Sequence, residues 1–148
     1  MKIVSACLIG VNCRYDGRNK FNSKVSEMFK KGVLVPVCPE QLGGLPTPRE
    51  PNEITGGTGS DVLEGKAKVL TKSGKDVTEN FLAGAKQALQ MAESSGAKEA
   101  ILKSDSPSCG FGEIYDGTFS GRLVKGDGVT TALLRKNGIS IKTEKDIK

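Results

Sequence analysis

Four short apolar runs recur along this chain with helical stretches between them, and that alternation constrains the fold more than any other feature. Lys2–Cys7, Val33–Cys38, Glu99–Lys103 and Ile139–Lys142 each read as a short buried strand. Between the first two, Ser23–Lys31 sets Val25, Met28 and Phe29 on one helical face and stops at Gly32. Before the third run, Phe81, Leu82, Ala85, Ala88, Leu89 and Ala92 fall at helical spacing. Asp76 and Glu79 stand ahead of them at capping-box separation, and Gly96 closes the segment. Before the fourth, Asp127 is placed to cap a helix over Gly128–Asn137, with Val129, Ala132 and Leu133 inward and Gly138 as its stop. Strand and helix in alternation predict an α/β fold with a mostly parallel sheet flanked by helices on both faces. Pro36 puts the second strand at an edge. With no repeat and no linker, residues 1–148 are expected to form a single domain.

The remaining segments are less regular. Residues 39–65 are rich in Pro and Gly and show no periodicity, so a long functional loop is expected there. Lys66–Leu70 and Lys75–Val77 around Ser73-Gly74 read as a small β-hairpin, and Glu113–Phe119 around Asp116-Gly117 as another. Gly56-Gly57-Thr58-Gly59-Ser60 looks like a phosphate loop but lacks the Gly-Lys-Ser/Thr ending, and it reads as a turn.

Composition removes several function classes. The chain has no histidine, which excludes Ser-His-Asp and Cys-His nucleophile pairs and the histidine-containing zinc hydrolases and deaminases. A general base must then be Asp, Glu, Lys, Tyr, Cys or a metal-bound water. There is no Trp, and five Phe with two Tyr are too few for a nucleic-acid stacking platform. No apolar run is long enough for a membrane span and the start lacks a signal-peptide core, so a cytoplasmic location is the expectation. The net charge of +5 favours anionic partners. Arg14, Arg18, Lys20, Lys24, Lys30 and Lys31 face only Asp16 and Glu27, forming either a solvated helix face or an electropositive mouth.

The cysteines carry the chemistry. Cys7 and Cys38 end the first two strand segments, and Cys109 lies in the turn after the third. Ligand sites of open parallel sheets collect beyond the carboxyl ends of the strands, so these three thiols should converge on one rim. Buried free cysteines acting as small hydrophobes are the plainer alternative. Thiolates without histidine suit zinc, copper(I) or an iron–sulfur cluster, and a cubane held by three cysteines leaves one iron open. Cys13, just past Cys7, is a fourth thiol near the site or an alternative ligand. Glu40, two residues past Cys38, is the natural proton carrier in a site with no histidine.

Ser5-Ala6-Cys7-Leu8-Ile9-Gly10, Cys13-Arg14-Tyr15-Asp16-Gly17, Pro36-Val37-Cys38-Pro39-Glu40, Gly43-Gly44-Leu45-Pro46-Thr47-Pro48-Arg49 and Ser106-Pro107-Ser108-Cys109-Gly110 together resemble the family that includes the bacterial thiouracil desulfidases. The likeness continues through Asp76-Val77-Thr78, Gly84-Ala85 and Gly128-Val129-Thr130 and spans nearly the whole chain. It implies a Rossmann-like α/β domain that binds a four-iron four-sulfur (4Fe-4S) cluster through three cysteines and removes sulfur from a thiolated nucleobase without net redox.

Under that resemblance Cys7, Cys38 and Cys109 are the metal ligands, with Cys13 as the alternative, and Glu40 and Ser106 are catalytic. Ser108 and Arg49 are candidate substrate contacts, although Ser108 also suits closing its turn and Arg49 also suits pairing with Glu50 or Glu53. The expected partner is a small thiolated base or nucleoside, or a thiolated tRNA. Two other readings stay open: an iron–sulfur redox or oxygen sensor without turnover, and a zinc-thiolate domain that binds nucleic acid through the basic segment.

Overall fold

β1 (Lys2–Ser5) is the strand around which the sheet is built, and its four residues are nearly all buried because helices cover both faces. It runs directly into a 3-10 turn, Ala6–Ile9. α1 (Ser23–Lys30) follows, started by the Asn22 side chain, which accepts the Val25 N–H at 3.0 Å. Then come β2 (Leu34–Val37), α2 (Pro39–Leu42), β3 (Asn52–Thr55), α3 (Gly59–Leu63) and β4 (Lys68–Thr71). The long helix α4 (Thr78–Ser95) leads to β5 (Glu99–Leu102), β6 (Glu113–Tyr115), β7 (Leu123–Lys125), α5 (Val129–Lys136) and β8 (Ser140–Thr143). This computed structural model describes residues 1–148.

β2, β1, β5 and β8 form one four-stranded sheet in that order, with every pairing parallel. Ile3 lies between Val35 and Ala100, so the chain leaves β1 in one direction and returns on its other side. That reversal is the switch point at which open sheets carry their ligands. Alternate strand residues serve the two faces. Ile3, Val37, Ala100, Leu102 and Ile141 pack with Ala88 and Ala92 of α4 and Leu134 of α5. Val4, Leu34 and Ile101 pack with Val25 of α1 on the other face. β2 is the edge strand, which explains how Pro36 is tolerated.

The reverse sides of α4 and α5 bury a second core. Phe81, Ala85 and Val129 close on Ile54, Val62 and Val69 from the β3–α3–β4 segment. α4 approaches α2 even more closely. A Cβ on Gly84 would stand 1.9 Å from the Pro39 carbonyl oxygen, and one on Gly43 would stand 2.0 Å from the Asn80 carbonyl oxygen. Only glycine permits this backbone-to-backbone contact, which places α2 and Glu40 on it.

Several local expectations are corrected. Residues 39–65 hold two short helices and a strand, too brief for any periodicity to register. The partner of β4 is β3, with Ile54 opposite Val69, and the 75–77 segment touches β4 only through a Leu70–Asp76 bridge. β6 pairs with β7 across a longer loop, and not across an Asp116-Gly117 turn. Thr58 opens α3, its backbone N–H and hydroxyl both donating to Asp61 Oδ2, at 2.8 Å and 3.1 Å. α4 starts later than its sequence signal, because Asp76 accepts the Thr78 N–H at 2.9 Å. Asp127 does not cap α5. Its carboxylate accepts the Gly112 N–H at 2.9 Å and pairs with Arg135 at 2.6 Å.

Candidate functional site

The three strand ends do meet. Cys7 lies in the turn after β1, Cys38 directly follows β2 as the residue before α2, and Cys109 sits in the turn beyond β5. All three, and Cys13, line one cavity of about 520 Å³. All four cysteines are free, and only Cys38 is more than slightly exposed.

These thiols crowd one another. The Cys38 thiol points at the Cys13 carbonyl oxygen, 3.7 Å away, and at Glu40 Oε1, 3.8 Å away. Contact with Cys38 pulls the Cys13 thiol down, but contact with Cys7, burial and the Glu40 charge outweigh it and push Cys13 up to about 12. Contact with Cys13, then burial, then Glu40 raise Cys38 well above the ordinary thiol range. Cys109 is raised chiefly by burial and next by Glu40, against opposing hydrogen bonds that include Ser5. A group of thiols held neutral in this way is one that a bound cationic centre would deprotonate and organise. No three of the Cys, Asp and Glu side chains close on a point that would hold a single metal ion.

Glu40 and Arg49 face each other at this wall. Arg49 Nη2 is 3.9 Å from Glu40 Oε2, so the Arg49 partner is Glu40 and not Glu50 or Glu53. Glu50 instead accepts the Ser73 N–H and hydroxyl, at 3.0 and 2.8 Å. The Arg49 donors are committed to the chain itself: Nη2 to the Cys13 carbonyl at 2.9 Å, and Nη1 to the Pro46 carbonyl at 3.2 Å and Thr47 Oγ1 at 3.0 Å. Arg49 thus fastens the 46–49 loop to the Cys13 loop and leaves its charge beside Glu40.

The two serines part company. Ser106 lines the cavity, and its Oγ accepts the Cys109 N–H at 2.6 Å, which leaves its O–H free to donate. Ser108 is fully buried, with its hydroxyl 2.7 Å from that of Thr130. As a substrate contact Ser108 is therefore corrected: it braces the cysteine turn against α5. Thr131 supports the same turn by donating its hydroxyl to the Cys109 carbonyl at 2.8 Å. Ser5, unassigned in the sequence, also belongs to the site. Its Oγ accepts the Lys103 N–H at 2.9 Å, tying β1 to the end of β5 beside Cys109. A buried hydroxyl two residues ahead of a proposed ligand was the only signal available for it.

The rim is basic. Arg14, Lys20, Lys72 and Lys103 line the cavity, while Lys24, Lys30 and Lys31 are exposed on or beside α1. Each reading of the basic segment thus holds for part of it. Aromatic residues are few, yet Tyr15, Tyr115 and Phe119 all line this cavity. Composition counted the rings without showing where the fold collects them.

Comparisons with known proteins place the chain in a family. The chain is 49% identical over 147 residues to YbbK, an uncharacterized protein of Bacillus subtilis (strain 168), covering 99% of this chain and 97% of that one. Its fold superposes with a TM-score of 0.87 and 43% identity on a structure described as the [4Fe-4S]-dependent thiouracil desulfidase TudS, covering 99% of this chain and 91% of the other. The pattern of the 2-thiouracil desulfurase family matches residues 3–146, and the chain belongs to that enzyme family.

Proposed function

We propose that this protein removes sulfur from a thiouracil-like ring without net redox, leaving oxygen on the ring and releasing sulfide. Cys7, Cys38 and Cys109 would hold a four-iron four-sulfur cluster of the kind named for its structural relative. When bound, such a cluster supplies a Lewis-acidic iron that has no protein ligand. The observation that carries the reading is four free thiols and the Glu40 carboxylate on a single cavity in a member of this family.

The chain's own residues supply the rest. Glu40 takes a proton from the water that replaces sulfur and returns it to the departing group. Arg49, fixed by three hydrogen bonds, holds that carboxylate in place. The free O–H of Ser106 donates to the bound ring. The four rim cations favour an electron-rich or anionic ligand, and the cavity is sized for a small molecule.

Anaerobic reconstitution followed by a 2-thiouracil turnover assay tests the proposal. Brown protein that releases sulfide and uracil is the expected result. Brown protein without turnover would instead make it a sensor, and colourless protein containing stoichiometric zinc would make it a thiolate-zinc domain.

A further inference from the structure

Phe119 adopts a backbone conformation that bulky side chains avoid, and it does so on the wall of the sulfur cavity. Its φ of +57° lies in the left-handed region, where Cβ crowds the following carbonyl. One carboxylate holds it there. Glu53 Oε1 accepts the Gly117 N–H at 2.9 Å and the Phe119 N–H at 3.1 Å. Glu53 projects from β3 and is only 8% exposed, so these two amides satisfy a charge that would be costly to bury alone. Gly117 packs the loop tip onto the same strand, since a Cβ there would stand 2.6 Å from the Ile54 carbonyl oxygen. β7 is exposed along its whole length and Ile114 of β6 anchors the base of the hairpin in the core, so it is the tip, with Phe119, that depends on the Glu53 bonds. Strained residues persist where the surroundings over-determine them, and ligand sites are where they gather.

We infer that Phe119 is the residue that stacks on the substrate's flat ring, and that Glu53 is the positioning residue that holds it against the cavity. This deepens, and rests on, the thiouracil reading: the wall built from β3 and the β6–β7 tip recognises the π-face of a heteroaromatic ring. Stacking of this kind is indifferent to the ring's substituents but demands that the ring be planar.

The test compares uracil with 5,6-dihydrouracil, which keeps the N–H and C=O groups of the ring but is puckered. Ligand-observed NMR titrations of reconstituted protein should show tighter binding of uracil. Phe119→Leu, which keeps apolar bulk without a π-face, should weaken uracil by about tenfold and abolish the preference, whereas Phe119→Tyr retains it. Glu53→Ala should give the same loss together with faster hydrogen exchange at the 117 and 119 amides. Glu53→Gln still offers an oxygen acceptor and should hold both within about threefold of wild type. A wild type indifferent to planarity, or Phe119→Leu with unchanged uracil affinity, overturns the stacking role. Unchanged amide protection in Glu53→Ala overturns the positioning role. None of these readouts needs turnover, so a reconstituted protein that binds uracil yet releases no sulfide would fail the desulfidase reading and not this one.

Discussion

Arg49 and Glu40 form a half-hidden ion pair, Nη2 to Oε2 at 3.9 Å, with side-chain exposures of 7% and 14%. The separation is long for a direct charge-assisted hydrogen bond, so the guanidinium steadies the carboxylate without capturing it. Glu40 lines the cavity, and the proposed function gives its carboxylate the proton-carrying role. Glu40→Gln keeps size and hydrogen bonding and should retain the brown chromophore and KM. Its single-turnover sulfide release should fall by about 10²–10⁴-fold. Near-normal release would remove Glu40 from the proton-carrying role.

Cys7, Cys38 and Cys109 follow three neighbouring strands, whereas Cys13 lies in a loop between the 3-10 turn and α1. Alanine at any of the first three should abolish the visible absorption and iron content of reconstituted protein. Cys13→Ala should keep both. Iron analysis with electron paramagnetic resonance of the reduced protein makes the comparison, and the reverse pattern would exchange Cys13 for one of the three.

The two serines of the cysteine turn should separate cleanly. Ser108→Ala strands Thr130 in a buried pair and should cost about 1–3 kcal/mol in urea unfolding without raising KM. Ser106→Ala should raise KM more than it lowers kcat, because the lost O–H faces the cavity.

Acid should loosen the end of β5. Burial alone would raise the Glu144 carboxyl, but the Ser104 N–H, the Lys103 charge and the Ser104 hydroxyl outweigh it and hold Glu144 below its ordinary 4.5. The Ser104 bonds are 2.8 and 2.9 Å, and Lys103 Nζ is 3.2 Å from Oε2. A carboxyl depressed in the folded state contributes stability above its unfolded value, and that contribution is lost as pH falls through the folded one. Urea midpoints should therefore drop more steeply below pH 4.5 in wild type than in Glu144→Gln. Parallel curves would deny the contribution.

Gly84→Ala adds helix propensity to α4 but drives a methyl into the Pro39 carbonyl, 1.9 Å from the added Cβ. Overpacking should win, with about 1–3 kcal/mol lost and turnover reduced through the shift of α2 and Glu40. Thermal unfolding and sulfide release should fall together.

The four strands of the parallel sheet and the three longer helices were legible because each carries a run or a period that one face of a core demands. β3, α2 and α3 span only four or five residues each, and their identity comes from what they pack against. The rim of thiols was legible too, since strand ends in a parallel sheet share one side. The partner of Arg49 was not. It depends on how the 46–49 loop returns to Tyr15, whose carbonyl accepts the Arg49 N–H at 2.8 Å. Ser106 and Ser108 look alike in sequence, and only the path of the turn sends one to the cavity and the other into α5. The Glu53 anchorage of Phe119 joins segments that share no local pattern.

The cysteine turn hangs from the start of α5. Val129 N donates to the Pro107 carbonyl at 2.9 Å, Thr130 N to that of Ser108 at 2.9 Å, and Gly128 N to that of Gly110 at 2.7 Å. During synthesis, then, Cys7, Cys13 and Cys38 emerge long before the scaffold that fixes Cys109. A chain halted short of α5 would keep only the bonds that Ser106 accepts from the Cys109 and Gly110 amides to shape that turn. The cysteine turn and the start of α5 are thus one hydrogen-bonded unit, and the site is complete only once both ends of the chain have come together.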